Sequence, residues 1–303
     1  MLMHERKKQI RKWPARIAKA VLLLATLAAL ALLWGFAIEP SLLTVTNIEF
    51  ADERLPSELD GMRVVFFADL HVGSVYPETE SERVARKITA LKPDLVLFGG
   101  DLTQWEEPGK EPDSQRVAAA FAAIEATYGK YAVLGNHDVW PEGMRDEALG
   151  MLEGSGFTVL ENQAVEITPG FWLTGTKPFT LHRQGNTEAK GGVARPALDG
   201  QFTLLLAHEP AQVDDWVEYP FALQLSGHTH NGQVALPFLG PLAKTYGTNG
   251  YYAGKYQVRD TLLYVTRGVG VIDKHVRFGA PPEIVVVTLR KSPLSPSGDI
   301  PPS

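Results

Sequence analysis

Arg63-Val64-Val65-Phe66-Phe67-Ala68-Asp69-Leu70-His71 is the stretch on which the fold turns. After Arg63 it runs through β-branched and aromatic residues without a charge, as a strand buried on both faces does. It then stops abruptly at a carboxylate and an imidazole. The same construction recurs along the chain. Asp94-Leu95-Val96-Leu97-Phe98 leads into Gly99-Gly100-Asp101, and Tyr131-Ala132-Val133-Leu134 leads into Gly135-Asn136-His137-Asp138. Residues 202–207 lead into His208-Glu209-Pro210, and residues 222–226 into Gly227-His228-Thr229-His230.

Helical patterns over 78–91, 113–127 and 142–153 separate the early strands in βαβα order. The second half is richer in strands, at 157–160, 164–168, 171–175, 202–207, 222–226, 258–266 and 284–289, with few long helices between them. This pattern predicts an α/β (α+β) fold, with two sheets packed as a sandwich and flanked by helices in preference to one doubly wound sheet. In such sheets ligand sites assemble at the C-terminal ends of strands. The chain has eight histidines, and His71, His137, His208, His228 and His230 all stand in these turns.

Each box alone says little. Asp-x-His is ordinarily a turn beside a surface histidine, Gly-Asp can be turn chemistry, and Asn136-His137-Asp138 can be a tight turn ahead of a helix. Gly-His-Thr-His says more, because histidines at i and i+2 after a strand can converge on a metal pair. Five boxes in this order, each after a strand, are not explained by chance.

The averages hide a division of the chain. Its 303 residues carry a formal net charge of −6 and no cysteine. The absence of cysteine excludes a disulfide scaffold, a thiolate zinc site, an iron–sulfur cluster and a thiol nucleophile. The acidic total argues against generic nucleic-acid binding. Residues 1–19 form a basic stub with Arg6, Lys7, Lys8, Arg11, Lys12, Arg16 and Lys19 against Glu5, so the remainder is strongly acidic. Residues 20–38 carry no charge. As a helix they reach about 28 Å, close to the hydrocarbon thickness of a bilayer. Trp13 and Trp34 stand near the two ends, where interfacial aromatics belong.

An uncleaved transmembrane anchor is expected. The alternative is a cleaved signal peptide, but Trp34-Gly35-Phe36-Ala37-Ile38-Glu39-Pro40 is a poor cleavage site. A buried core helix is the other reading, but a segment that is apolar all round, terminal and flanked by a basic cluster fits a membrane span better. With the basic stub cytoplasmic, a single-pass protein of the cell membrane results, and everything after Pro40 lies outside the cytoplasm. Residues 42–290 then form one globular unit. Residues 291–303, rich in Pro and Ser, are expected to be a disordered tail.

The boxes resemble those of the calcineurin-like metallophosphoesterases: Asp-x-His, Gly-Asp, Gly-Asn-His-(Asp/Glu), a lone His and Gly-His-x-His. The resemblance covers roughly residues 60–290. The anchor, Arg267-Gly268-Val269-Gly270 and the segment Arg277–Ile284 look like the membrane-associated bacterial branch of the YaeI or YkuE type. The family implies a four-layer αββα sandwich of two mixed sheets with a two-metal centre. Carried over residue by residue, one metal takes Asp69, His71 and His230, and the other takes Asn136, His208 and His228. Asp101 bridges them, and His137 sits beside the centre without binding metal.

The chemistry agrees. Oxygen donors and imidazoles without thiolate suit two divalent ions drawn from Mn²⁺, Fe²⁺, Zn²⁺ or Mg²⁺. Two cations about 3.5–4 Å apart need a shared carboxylate, and a water between them becomes hydroxide near neutral pH. Such a hydroxide attacks phosphorus in line. His137 then assists the leaving group, its ring oriented by Asp138 or a backbone carbonyl. Two departures from the family pattern stand out: Gln104 where relatives often have an acid, and Asn231 where Gly often follows the last box.

The expected activity is hydrolysis of a phosphodiester or pyrophosphate bond, on a substrate that a tether at the bilayer suits if lipid-linked. One alternative is a pyrophosphatase acting on UDP-2,3-diacylglucosamine in lipid A assembly, whose substrate is cytoplasmic. Another is a non-catalytic tethered binding module, which should have lost at least one donor, yet all seven and His137 are present. The loop 238–256, with Lys244, Tyr246, Tyr251, Tyr252 and Lys255, is either a wall for the leaving group or ordinary packing. Lys177, His182 and Arg183 read as a solvated loop more readily than as a phosphate contact.

Overall fold

The computed structural model describes residues 2–73, 75–104, 111–141, 143–179 and 193–292. His182, Arg183 and the tail from residue 293 therefore lie outside the described residues.

The first half contains strands β1 (Thr44–Asp52), β2 (Arg63–Phe67), β3 (Val72–Gly73), β4 (Leu95–Phe98), β5 (Thr103–Gln104), β6 (Lys130–Ala132), β7 (Thr158–Val159) and β8 (Gln163–Thr168). The second contains β9 (Phe171–Gly175), β10 (Phe202–Leu206), β11 (Leu223–Ser226), β12 (Ala235–Leu236), β13 (Gly240–Pro241), β14 (Gly254–Val258), β15 (Thr261–Val265) and β16 (Glu283–Lys291). The helices are α1 (Leu2–Leu33), α2 (Thr79–Ala90), α3 (Ser114–Ala122), α4 (Asn136–Val139), α5 (Met144–Gly154), α6 (Arg195–Leu198) and α7 (Gln212–Asp215).

Two mixed six-stranded sheets form, in the orders β1-β16-β2-β4-β6-β7 and β14-β15-β11-β10-β9-β8. Alternation along each strand builds the layers. Val64 and Phe66 point inward with Leu95 and Leu97, and meet Leu204, Leu206, Leu223 and Leu225 of the other sheet. Val65, Phe67, Val96 and Phe98 point outward onto Val84 and Ile88 of α2, Val117 and Phe121 of α3, and Met151 and Leu152 of α5. On the far side Leu205 and Ala207 pack with Ala194, Ala197, Trp216 and Phe221. The helix–sheet–sheet–helix order expected from the sequence is thus carried by odd and even residues of the same strands.

Some boundaries differ. The run 258–266 is not one strand but the hairpin of β14 and β15, because the chain reverses at Arg259-Asp260 with Arg259 at φ 48°. The helix expected over 113–127 ends at Ala122. The expected tail begins too early, since Lys291 is still in register with Asp52.

Among the described residues, one helix is long and apolar enough to cross a membrane. Its side chains from Ile17 to Leu33 are largely exposed. Trp34–Ile38 continue it as a π-helical turn and Glu39–Ser41 as a 3₁₀ turn. This end is tied to the globular part. Arg277 N–H donates to Gly35 O at 2.9 Å, and the buried Glu39 accepts from Ala280 N–H at 2.6 Å.

Candidate metal centre

All five boxes follow central strands, and their turns meet at one end of the sandwich. The turn after β2 is zipped to the turn after β4: Asp69 N–H donates to Gly100 O at 2.9 Å, and Leu70 and His71 N–H donate to Asp101 O at 2.8 and 3.1 Å. Such tight approach needs glycine, and a Cβ on Gly135 would overlap the Asp101 carboxylate.

The donors carry backbone strain. Asp69, His71, Asp101, His228 and His230 all have left-handed φ, between 48° and 72°. Non-glycine residues pay for that conformation, and it persists where the surrounding structure over-determines it. Asn231 is left-handed as well (φ 49°, ψ 35°), so the amide tolerates the turn that relatives make with glycine.

Two clusters result. Asp69, His71 and His230 offer ligand atoms to one point, with the His71 and His230 Nε2 atoms 3.0 Å apart. Asp101, His208 and His228 offer theirs to a second, where His208 Nε2 lies 3.2 Å from both Asn136 Oδ1 and His228 Nδ1. Asp101 Oδ2 stands between the clusters, 3.1 Å from His208 Nε2 and 3.6 Å from His71 Nε2. His137 forms a third grouping with His71 and Asp101. Its half-buried ring meets that of His71 edge-on, with centroids 5.0 Å apart.

The donor set fits divalent cations. Facing imidazole nitrogens at 3.0 Å repel if protonated and are reconciled by a shared ion. Asp69 Oδ2 is buried without a hydrogen-bond partner, which a cation would supply. Burial pushes Asp69 up to about 7, and pushes the imidazoles of His71 and His228 down to about 3 and about 4, into the neutral form that offers a lone pair. Burial also opposes the charges on Asp101 and His208. Their mutual attraction outweighs it, holding Asp101 well below an ordinary carboxylate and His208 well above an ordinary imidazole.

The outer ring nitrogens orient the ligands. His208 Nδ1 faces Gly99 O at 2.7 Å, and His228 Nε2 faces Tyr246 O at 2.6 Å. His230 Nδ1 faces Arg277 Nη2 at 3.2 Å. Arg277 is fully buried, and its guanidinium also donates to Gly268 O, Gly270 O and Ala280 O. Its presence at the centre was not legible: nothing distinguishes it in sequence from a surface arginine.

Asp138 has a different task from the one expected. Its carboxylate accepts from the N–H groups of Asp101 (2.7 Å), Gly135 (2.9 Å), Leu102 (2.7 Å) and Thr103 (3.3 Å), so it braces two boxes and does not orient the His137 ring. Burial, then the nearby Asp101 charge, push it up to about 6. Gln104 donates to Asp273 at 3.1 Å at the cleft edge. In the loop 238–256, Thr245 lines the cleft, whereas Tyr251 bonds Asp214 and packs on the Tyr256 ring. Arg267 is engaged by Glu283 at 3.1 Å. The cleft itself is about 280 Å³, lined by Asp101, Asn136, His137, His228 and His230 on one side and by Thr245, Ile272 and Lys274 on the other.

The chain belongs to the calcineurin-like phosphoesterase family, whose model matches residues 62–232. With the two clusters, this membership defines a metal-dependent hydrolase. The uncharacterized metallophosphoesterase YkuE of Bacillus subtilis is 34% identical over 263 residues, covering 86% of this chain and 90% of that one. Phosphodiesterase YaeI of Escherichia coli is 30% identical over 243 residues, covering 79% and 84%. UDP-2,3-diacylglucosamine pyrophosphatase LpxG of Chlamydia muridarum is 25% identical over 329 residues, covering 89% and 97%. The likeness spreads over several branches and does not single out the YaeI/YkuE type.

Proposed function

We propose a membrane-anchored, binuclear-metal phosphodiesterase. The observation that carries this reading is the pair of donor clusters meeting at Asp101. Asp69, His71 and His230 would hold one ion, Asn136, His208 and His228 the other, and Asp101 would serve both. Two divalent cations there would acidify a water and neutralise phosphoryl charge. His137 lines the cleft beside these donors and holds the proton that the departing oxygen takes. Asn136, a neutral donor, leaves the site's positive charge high enough to draw in a phosphate anion.

The helix that ends at Leu33 is the anchor, with its basic N-terminal stub in the cytoplasm and the domain outside. Such placement suits a lipid-linked phosphate ester. A second reading, pyrophosphate cleavage of a lipid-bearing nucleotide sugar, is favoured by the likeness to LpxG over most of both chains. A topology reporter at the C-terminus separates the two: activity on the cytoplasmic side favours the second.

The full chain in detergent should hydrolyse bis-p-nitrophenyl phosphate with Mn²⁺ and cease with chelator. His137→Ala should lose about 10²–10⁴-fold in turnover while keeping its metal. No metal-dependent turnover of any phosphodiester would sink the proposal, and a fully active His137→Ala would remove that residue from it.

A further inference from the structure

Between Gly232 and Ala243 the chain carries no charge. It forms a short hairpin just after the last metal-site histidine, with Ala235 paired to Pro241 and Leu236 to Gly240. Its tip is Pro237-Phe238-Leu239. Phe238 is fully exposed with φ 67°, and Leu239 and Leu242 are exposed beside it. A bulky aromatic held in the left-handed region with no packing inside the protein has nothing in the fold to offset its strain.

The hairpin is braced, not loose. Ala235 N–H donates to Phe278 O at 2.7 Å, Phe278 N–H to Gln233 O at 2.8 Å, and Leu242 N–H to Val234 O at 2.9 Å. The same short segment holds the end of the long apolar helix: Arg277 N–H reaches Gly35 O at 2.9 Å, and His275 Nδ1 lies 3.3 Å from Phe36 O. Anchor end and hairpin root are thus two hydrogen-bonded backbone steps apart, roughly 10 Å. Trp34, Phe36, Ile38 and Leu42 are exposed on the anchor side of that bridge. Lys244, Lys274 and His275 stand beside these segments in the chain together with Asp273, and Lys274 lines the cleft. An apolar tip with basic neighbours is the composition of an interfacial membrane contact.

We propose that Phe238, Leu239 and Leu242 seat in the bilayer that holds α1, as a second membrane contact at the mouth of the metal cleft. This inference rests on the reading of α1 as an anchor. Two contacts fix an orientation that one helix leaves free. They hold the cleft against the headgroup layer, where the phosphate ester it fits is one borne by a membrane lipid.

The absence of cysteine makes the test direct. Single-cysteine full-length chains, Leu27→Cys in the anchor, Leu239→Cys at the tip and Leu198→Cys as control, are labelled with an environment-sensitive fluorophore. They are reconstituted in phosphatidylcholine–phosphatidylglycerol vesicles, with and without lipids carrying nitroxide quenchers at a shallow and a deep position of the acyl chain. Leu198 is exposed just before β10, at the opposite end of that strand from His208. The lipid quenchers should remove most of the emission at Leu27→Cys and at Leu239→Cys, and leave that at Leu198→Cys. Quenching at Leu27→Cys without quenching at Leu239→Cys overturns the second contact and leaves the anchor standing. An apolar environment at the tip that lipid quencher cannot reach overturns it too, in favour of a second copy of the chain. No quenching at Leu27→Cys overturns the anchor and this inference together. Leu242→Cys gives an independent reading of the same surface.

Discussion

The two sheets supply unlike halves of the centre. The first gives Asp69, His71, Asp101 and Asn136, and the second gives His208, His228 and His230. On the first, carboxylates hold the backbone. Asp138 gathers N–H groups from both neighbouring turns, Asp101 accepts from His137 N–H at 2.8 Å, and Asp69 accepts from His228 N–H at 2.8 Å. On the second, the order is reversed, and backbone carbonyls of Gly99 and Tyr246 hold the rings of His208 and His228. A carboxylate that binds buried N–H groups cannot be removed without orphaning them, whereas a carbonyl that loses its imidazole turns to water more cheaply. Function and stability should therefore be fused in the first half and separable in the second.

The harshest probe of this contrast is Asp101→Ala, which should lower kcat/KM at least about 10³-fold, about 4 kcal/mol, and lower Tm as well. Steady-state kinetics with calorimetry reads both. His228→Ala should cost at least about 10²-fold in activity, about 2.7 kcal/mol, yet leave the Tm of the metal-free protein close to wild type. A drop in Tm matching that of Asp101→Ala would erase the distinction. Asp138→Asn sets an NH₂ group against buried N–H donors and should cost about 1–3 kcal/mol in denaturant unfolding. Chelating metal that was free at about one hundred times its dissociation constant should remove about 2.7 kcal/mol per occupied site, seen as a lower Tm. The gentlest probe is pH. Asp69, raised to about 7 by burial, keeps its proton below that value and must release it to bind a cation. Metal affinity of the Asp69 cluster, by titration calorimetry, should fall about tenfold per pH unit below 7, whereas the proton that His208 keeps well above the imidazole range makes affinity at the other cluster go on rising past 7.

Most of this fold could be read from the chain because its central strands are continuous apolar runs with an abrupt polar end. β1 could not. It is an edge strand whose residues are mostly half-buried, so Thr44-Val45-Thr46-Asn47 carries no strong period. The β14–β15 turn was invisible for a related reason, since Arg259-Asp260 contains no glycine or proline. At the site, residue identity revealed the donors, but adjacency misled for Asp138. Successive residues of the turn Asn136–Val139 point about 100° apart, so His137 faces the cleft while Asp138 faces the buried backbone. Arg277 belongs to the centre through packing alone, which no local pattern encodes.

In the first sheet, β16 lies between β1 and β2. The strand nearest the long apolar helix therefore finds its place only against a strand made much later, with Thr44 meeting Pro282 across 238 residues. Such closure is slow, and it waits until Glu283–Lys291 have been made. A chain cut short anywhere before Glu283 is thus not a smaller enzyme. It is a product with two unsatisfied strand edges, β1 and β2, ready to pair with its neighbours. Strand order thus ties β2, which delivers Asp69 to the cleft, to a partner strand that the ribosome supplies only long afterwards.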